Sequence, residues 1–433
     1  MTRSIQLLLI LCVLLAAALP GAALARLNIE ITGGVEAAQP IAVVPFGFAG
    51  GGSASVDPGA VIAADLARTG RFAPMPTRDM LDQPTTHEEV DLRDWRLLDM
   101  NNLVIGQVVR EGARYRISFI LYDVFRGERL AGATLTATAA GLRNAAHRIA
   151  DQIHETLTGI PGVAATRIAY ISATGRGENA RVTLQVADAD GYNPQVIVSS
   201  TEPIMSPAWS PDGRRIAYVS FESRRPAIYV QELASGRRER VASYPGINSS
   251  PAFSPDGRRL AMTLSKDGNP EIYVLDLDSR ALTRLTNHFA IDTEPAWSPD
   301  GSHLVFTSGR GGNPQIYRVP ASGGAVSRVS FEGDYNASPV YAPDGRSIAM
   351  ARRINGAFRI ALLDVERGFS RLLSRGPLDE SPSFAPNSSM VIYATTHGGR
   401  AVLAAAAVDG GANQRLTQGT DQVREPAWSP MVQ

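Results

Sequence analysis

The sequence predicts a mainly β protein: a six-bladed β-propeller with an N-terminal α/β domain. A motif returns six times at near-constant spacing, each copy carries the turn chemistry of tight hairpins, and the two ends of the array lack complementary pieces of one unit. The segment Ser206-Pro-Ala-Trp-Ser-Pro-Asp-Gly213 recurs at 250–257, 294–301 and 338–345, and in reduced form at 381–387 and 425–430. Its first prolines fall at 207, 251, 295, 339, 382 and 426, steps of 44, 44, 44, 43 and 44. Four short strands in such a period make a propeller blade.

Within a unit, Ser-Pro-Asp-Gly has the composition of a type I turn: Pro fixes φ at the second position and Gly takes the fourth. It joins a short Pro-Ala-Trp strand to an apolar one at 216–220, 260–264, 304–308, 348–350 and 391–394. A second turn, such as 267–270 or 311–314, leads to an alternating third strand such as 272–277. A fourth strand returns at 282–286 or 326–330. Helical repeats would need 10–15 residues at 3.6 spacing, and the turns leave no room for them. The apolar strand at 168–172 has no Pro-Ala-Trp before it, and the last Pro-Ala-Trp, at 426–428, has no apolar strand after it. A ring closed by the C-terminal strand, with no array end left unpaired, is expected over 161–433.

Residues 26–160 have another texture and predict a small α/β domain. Strands are expected at 27–31, 41–44, 102–110, 115–124 and 129–138, and short helices near 61–66 and 91–99. Leu142, Ala145, Ala146, Ile149, Ile153 and Leu157 share one face of a closing helix. Residues 1–25 read as a signal peptide: Arg3, an apolar run from 5 to 19, then Ala23-Leu-Ala25 for cleavage. The only cysteine, Cys12, falls in that segment, so the exported fold is expected to stand without disulfides. No second apolar segment suggests a membrane span in the mature chain.

The 42 basic residues balance the 42 acidic ones, which argues against a sequence-independent grip on nucleic acid or anionic lipid. No catalytic constellation stands out. Gly51-Gly-Ser53-Ala-Ser55 lacks the second glycine of a nucleophile elbow. The fingerprint-like Gly175-Arg-Gly177 is followed by an expected strand where a dinucleotide site needs a helix. The six histidines form no zinc pattern; His147 and His154 share a helix without an evident carboxylate, and the aspartates of the turns sit on separate blades. No cofactor and no metal are expected. The loops that cross from an outermost strand to the next innermost strand carry Asn248, His288, Asp292, Thr293, Glu294, Asn336 and Asp379. A polar, partly acidic ring around the channel mouth is expected there, suited to protein contact.

Over the whole mature chain the pattern resembles the TolB family, periplasmic propeller proteins of the Tol-Pal system of Gram-negative bacteria. The resemblance rests on Pro40-Ile-Ala-Val-Val-Pro-Phe46, Asp292-Thr-Glu-Pro-Ala-Trp297 and Pro426-Ala-Trp-Ser-Pro430 beside the repeat itself. It implies a non-enzymatic periplasmic protein, expected as a monomer, that helps keep the outer membrane intact and draws it inward during division. It implies that the propeller loops bind the lipoprotein Pal, around Thr293 and Glu294, and that Leu27, Asn28, Ile29, Glu30 and Ile31 face TolA. Contacts with other outer-membrane lipoproteins or porins are also implied. The rival class is an enzyme, a propeller lyase or glycosidase with channel carboxylates; a peptidase would need a hydrolase domain for which the chain has no room.

Overall fold

The computed structural model describes residues 27–33, 38–49, 56–175, 180–418 and 421–431. The expected signal peptide, Ser53 with its neighbours at 51–55, and residues 176–179 lie outside these. Two bodies follow one another along the chain, and the first strand, β1 (Leu27–Gly33), does not join the N-terminal body.

In the N-terminal body, β2 (Gln39–Val43) lies parallel to β4 (Phe72–Pro74) and to β5 (Asn102–Glu111), which β3 (Gly47–Ala49) also joins. The antiparallel strands β6 (Arg114–Asp123) and β7 (Glu128–Thr138) extend the sheet from β5. Helix α1 (Pro58–Arg68) starts where Asp57 accepts a 2.9 Å hydrogen bond from the Gly59 amide and Pro58 presets the first turn. The short α2 (Leu92–Leu97) buries Trp95. Helix α3 (Leu142–Thr158) ends at Gly159 in the left-handed region, φ 72°. Its expected face is the buried one: Leu142, Ala145, Ala146, Ile149 and Ile153 pack with Ile62 and Leu66 of α1 and with Ile117 and Phe119 of the sheet.

Six four-stranded sheets make the ring. Blade 4 is representative: Asp292–Trp297 innermost, then His303–Ser308, Gln315–Pro320 and Ser327–Arg328. The type I turns form as expected; the Gly213 amide donates to the Ser210 carbonyl at 2.9 Å, and Asp212 accepts from the Arg214 amide at 3.0 Å. Two boundaries differ from the sequence reading. The innermost strands start two to four residues before the first proline, and the outermost strands are shorter, Leu282–Arg284 and Ser327–Arg328, because one of their edges has no partner strand.

The repeated aromatic residue fastens neighbouring blades. Trp297 Nε1 donates to the Ala252 carbonyl of the preceding blade at 3.1 Å, and Arg259 of that blade lies 4.6 Å over the Trp297 ring. Arg215 repeats this over Phe253, and Arg167 over Trp209. Desolvated guanidinium–aromatic stacking is favourable by about 1–2 kcal/mol per pair.

Closure is as expected. Gln422–Trp428 pairs antiparallel with Arg167–Thr174, with Val423 opposite Ser172 and Trp428 opposite Ile168. Trp428 adds a bond from Nε1 to Thr166 Oγ1 (2.8 Å) and one from its amide to Ser383 Oγ of blade 6 (2.9 Å). The strand β1, expected in the N-terminal domain, lies instead on the outer edge of blade 6, antiparallel to Asn413–Gln418, with Ile29 opposite Leu416. Backbone pairing with an open edge overrides its position in the chain.

Trp428→Ala removes the aromatic body and the Nε1 bond to Thr166. A loss of about 3 kcal/mol of unfolding free energy is expected, at the low end for a large aromatic because Trp428 is only half-buried. Urea denaturation followed by circular dichroism measures it.

Candidate functional site: the channel and its loop face

The innermost strands surround a channel of about 190 Å³ lined by the six prolines 207, 251, 295, 339, 382 and 426 and the residue before each. Those six residues, Ser206, Ser250, Glu294, Ser338, Ser381 and Glu425, all have φ between 49° and 56°. Left-handed backbone is uncommon outside glycine. Here it recurs because the ladder slips at this point in each blade, for example between Thr293 and Ala296, making a bulge that the proline, with no N–H, can occupy. The channel therefore presents strand edges blunted by proline.

Two of the six are acidic and stand three blades apart, on opposite sides of the ring. Glu294 accepts from the Ser338 amide and hydroxyl of the next blade, both 2.8 Å, and from Thr307 Oγ1 at 2.7 Å. Glu425 accepts from the Ser206 amide at 2.5 Å, and burial pushes its carboxyl up. These are the channel groups that could meet a cation, and each is already tied to the neighbouring blade.

The expected polar ring is corrected by the structure. Asn248, Asp292, Asn336 and Asp379 are fully buried. They occupy, at the repeat spacing, the slot that Ile204 and Val423 fill in the other two blades, also with no exposed surface. Asn248, Asn336 and Asp379 bond to groups of the crossing loops, while Asp292 pairs with Arg310 in the turn that follows the second strand. Asn248 donates to the Tyr244 carbonyl (2.7 Å) and accepts from the Tyr244 amide (2.8 Å). Asp292 holds Arg310 at 2.5 Å. Asn336 donates to Gln315 Oε1 and accepts from Arg352 Nε, both 2.8 Å. Asp379 accepts from Ser374 (2.5 Å), Thr395 (2.5 Å) and the Gly376 amide (2.8 Å). A loop leaving a sheet has backbone groups to satisfy, and short amide and carboxylate side chains do this.

Thr293 and Glu294 are half-buried beside the channel, and His288 is half-buried, its Nδ1 accepting from the Ala290 amide at 3.1 Å. Sequence reasoning missed Glu271, fully buried, which accepts from Arg284 Nη2, Thr286 Oγ1 and the His288 amide and so shapes the loop from within. It also missed what the loop face exposes. The residue just before the buried slot is Ile247, Ile291, Tyr335 and Leu378 in four successive blades. Phe289 (87% exposed) and Phe331 (70%) enlarge the arc. The common 44-residue register is the sequence signal that separates the two sets. Leu27, Asn28, Ile29, Glu30 and Ile31 lie far along the chain from this face, in β1 on blade 6.

A second polar cluster joins the two bodies. His147 Nδ1 of α3 lies 2.6 Å from Asp65 of α1, and its Nε2 is 4.0 Å from Asp190 in blade 1. The carboxylates that sequence reasoning did not find near this histidine are thus supplied by α1 and the propeller, while His154 bonds elsewhere, to the Ile160 carbonyl at 2.9 Å. Asp65, His147 and Asp190 could offer three ligand atoms to a metal, but Arg68 pairs with Asp65 and Arg143 with Asp190. The positive charge that these carboxylates attract is already present. Burial pushes the His147 imidazole down to about 4; Asp190 opposes this, and Arg68 and Arg143 add to it. Burial lowers His154 as well.

Fold and channel together define a two-domain propeller protein whose inner strand edges are closed by proline and whose loop face exposes a set of apolar side chains. The family described as "TolB beta propeller domain" matches residues 154–432, and "TolB amino-terminal domain" matches 27–130. Relatives named Tol-Pal system protein TolB are 60% identical over 408 residues in Nitrosococcus oceani (94% of each chain) and 51% over 427 residues in Xanthomonas euvesicatoria (97% of each). The crystal structure of TolB from Acinetobacter baumannii superposes with a TM-score of 0.87 at 40% identity, covering 94% of this chain and all of that one. The chain belongs to the TolB family of Tol-Pal system proteins. Among the described residues no helix is long and apolar enough to cross a membrane.

Both buried imidazoles are neutral in the fold and free to take a proton in the unfolded chain, whose histidines titrate near about 6.5. Stability from these groups is complete above that pH and is lost as pH falls from about 6.5 toward about 4, because the unfolded state then binds more protons. Melting temperatures across this window are expected to fall, and His147→Gln to flatten the slope.

Proposed function

We propose that this chain is a non-catalytic periplasmic component of the Tol-Pal system that binds Pal through the loop face of the propeller and TolA through its N-terminal strand. In this role it maintains outer-membrane integrity and its invagination during division. The observation that carries the reading is the arc of exposed apolar side chains around the channel mouth, Ile247, Phe289, Ile291, Phe331 and Leu378. Exposed apolar side chains on a rigid scaffold are the usual anchors of a protein-docking site. Family membership supports the choice of partner.

The proposed Pal site keeps His288, Thr293 and Glu294 at or beside the docking surface and gives Asn248, Asp292, Asn336 and Asp379 the task of holding the loops. Against an enzyme, the carboxylates of Glu294 and Glu425 are engaged by the neighbouring blades, an arrangement suited to holding the channel wall. The TolA-facing segment is β1: a strand held by one edge of blade 6 can be released to pair with a partner's strand instead. If Pal binding shifts that balance, TolA binding must shift Pal affinity by the same factor.

Phe289→Ala together with Ile291→Ala is expected to weaken Pal binding tenfold or more in calorimetry, about 1.4 kcal/mol or above, with an unchanged melting temperature. Undiminished affinity would place the Pal site elsewhere. Deletion of residues 26–33 is expected to abolish TolA binding and to change Pal affinity; a deletion that altered neither would refute the two-state role of β1.

A further inference from the structure

Between blades 5 and 6 lies a groove of about 930 Å³, larger than the channel and walled on one side by the crossing loop 373–379. Its origin is visible in the repeat. The third strands of blades 2, 3 and 4 place Tyr229, Tyr273 and Tyr317 opposite Tyr218, Met262 and Phe306 of the second strands. At the same register blade 6 has Ala404 opposite Tyr393, in a third strand that runs Leu403-Ala-Ala-Ala-Ala407. Blade 5 also has an alanine there, Ala361, but it packs among Met350, Leu363 and Ile316. Blade 6 thus lacks the bulk that fills the equivalent space in three other blades, and Tyr393 and Ala404 line the opening.

The lining is strongly basic. Arg359, Arg371, Arg375 and Arg415 contribute to it, and the one carboxylate among the described lining residues, Asp379, is fully buried and engaged by Ser374, Thr395 and the Gly376 amide. Arg359 Nε is buried with no hydrogen-bond partner among the described residues. A buried donor left unsatisfied is rare in a native fold and marks a place where a ligand atom can be accepted. Leu372, Leu373 and Tyr393 add apolar surface between the guanidiniums. A bare phosphate would leave that surface unused, whereas a peptide that alternates acidic and apolar side chains would cover both. In the strand register of blade 6, Glu30 of β1 stands opposite Arg415.

We propose that the groove between blades 5 and 6 is a binding site for an extended acidic peptide segment, with arginines pairing its carboxylates and Tyr393, Leu372 and Leu373 taking its apolar side chains. Arginine suits this because its planar fork pairs a carboxylate with two hydrogen bonds. The volume is within the usual range for a ligand site.

The test uses the full chain and three probes: a labelled Glu-Leu-Glu-Leu-Glu-Leu peptide, its Gln-for-Glu counterpart, and inorganic pyrophosphate. Fluorescence anisotropy is expected to show binding of the acidic peptide, weakened by salt, with the other two at least about tenfold weaker. The exposed-site substitutions Arg371→Glu and Arg375→Glu together, and Ala404→Tyr, which restores the tyrosine of the other blades, are each expected to cost at least about tenfold in affinity. Pyrophosphate binding as tightly as the peptide, equal binding of the Gln counterpart, no peptide binding, or no loss in the double arginine variant would each overturn the proposal. If Ala404→Tyr does not fold, the surface arginine pair decides alone.

Discussion

The pairing of Gln422–Trp428 with Arg167–Thr174 is the interaction on which the rest of the molecule depends. A linear array of sheets would carry an unpaired face at each end; here the last segment of the chain becomes the innermost strand of the first blade, and the array has no end. Every other contact between blades then has a neighbour on both sides. The Trp–Arg stacks and the Trp-to-carbonyl bonds recur between successive blades.

Closure brings a second constraint, because six innermost strands now face one channel with free edges. The chain answers it with a bulge and a proline in each blade, and accepts left-handed backbone at the preceding residue. Such backbone costs of order 1–3 kcal/mol at each position and persists only where surroundings over-determine it. At Glu294 and Glu425 that surrounding is visible, since each carboxylate grips the amide of the next blade. The rim of the channel is thereby made stiff, and a stiff rim lets the crossing loops display isoleucine, phenylalanine and leucine without collapsing onto them.

The two bodies meet through a buried charge cluster. Asp65 and Arg68 come from α1, Arg143 and His147 from α3, and Asp190 from blade 1. Breaking any one pair would leave a charge buried without a partner, a cost of about 3–5 kcal/mol, while the intact cluster adds little net stability. The cluster links the two bodies, since Asp65, Arg68, Arg143 and His147 belong to one and Asp190 to the other. The Gln414 side chain, on the strand that receives β1, donates to the Arg68 carbonyl, so the seam between the bodies and the seat of β1 share one strand.

The sequence by itself determined the blade count, the turns, the closing strand and the helix faces, because each is written in short-range pattern: proline at a 44-residue step, Ser-Pro-Asp-Gly, apolar residues at helical spacing. The residues that shape the loop face were also within its reach but needed one further step. Asn248, Asp292, Asn336 and Asp379 align with Ile204 and Val423, and that alignment already says the slot is inside. Polarity alone pointed outward, and the exposed apolar arc one residue earlier went unread. Tertiary structure alone decided where β1 lies, that Asp65 and Asp190 surround His147, and that a missing tyrosine opens a basic groove beside blade 6. Each of these joins residues from elements far apart in the chain or depends on how neighbouring sheets fill space, and local sequence pattern has no means of recording either.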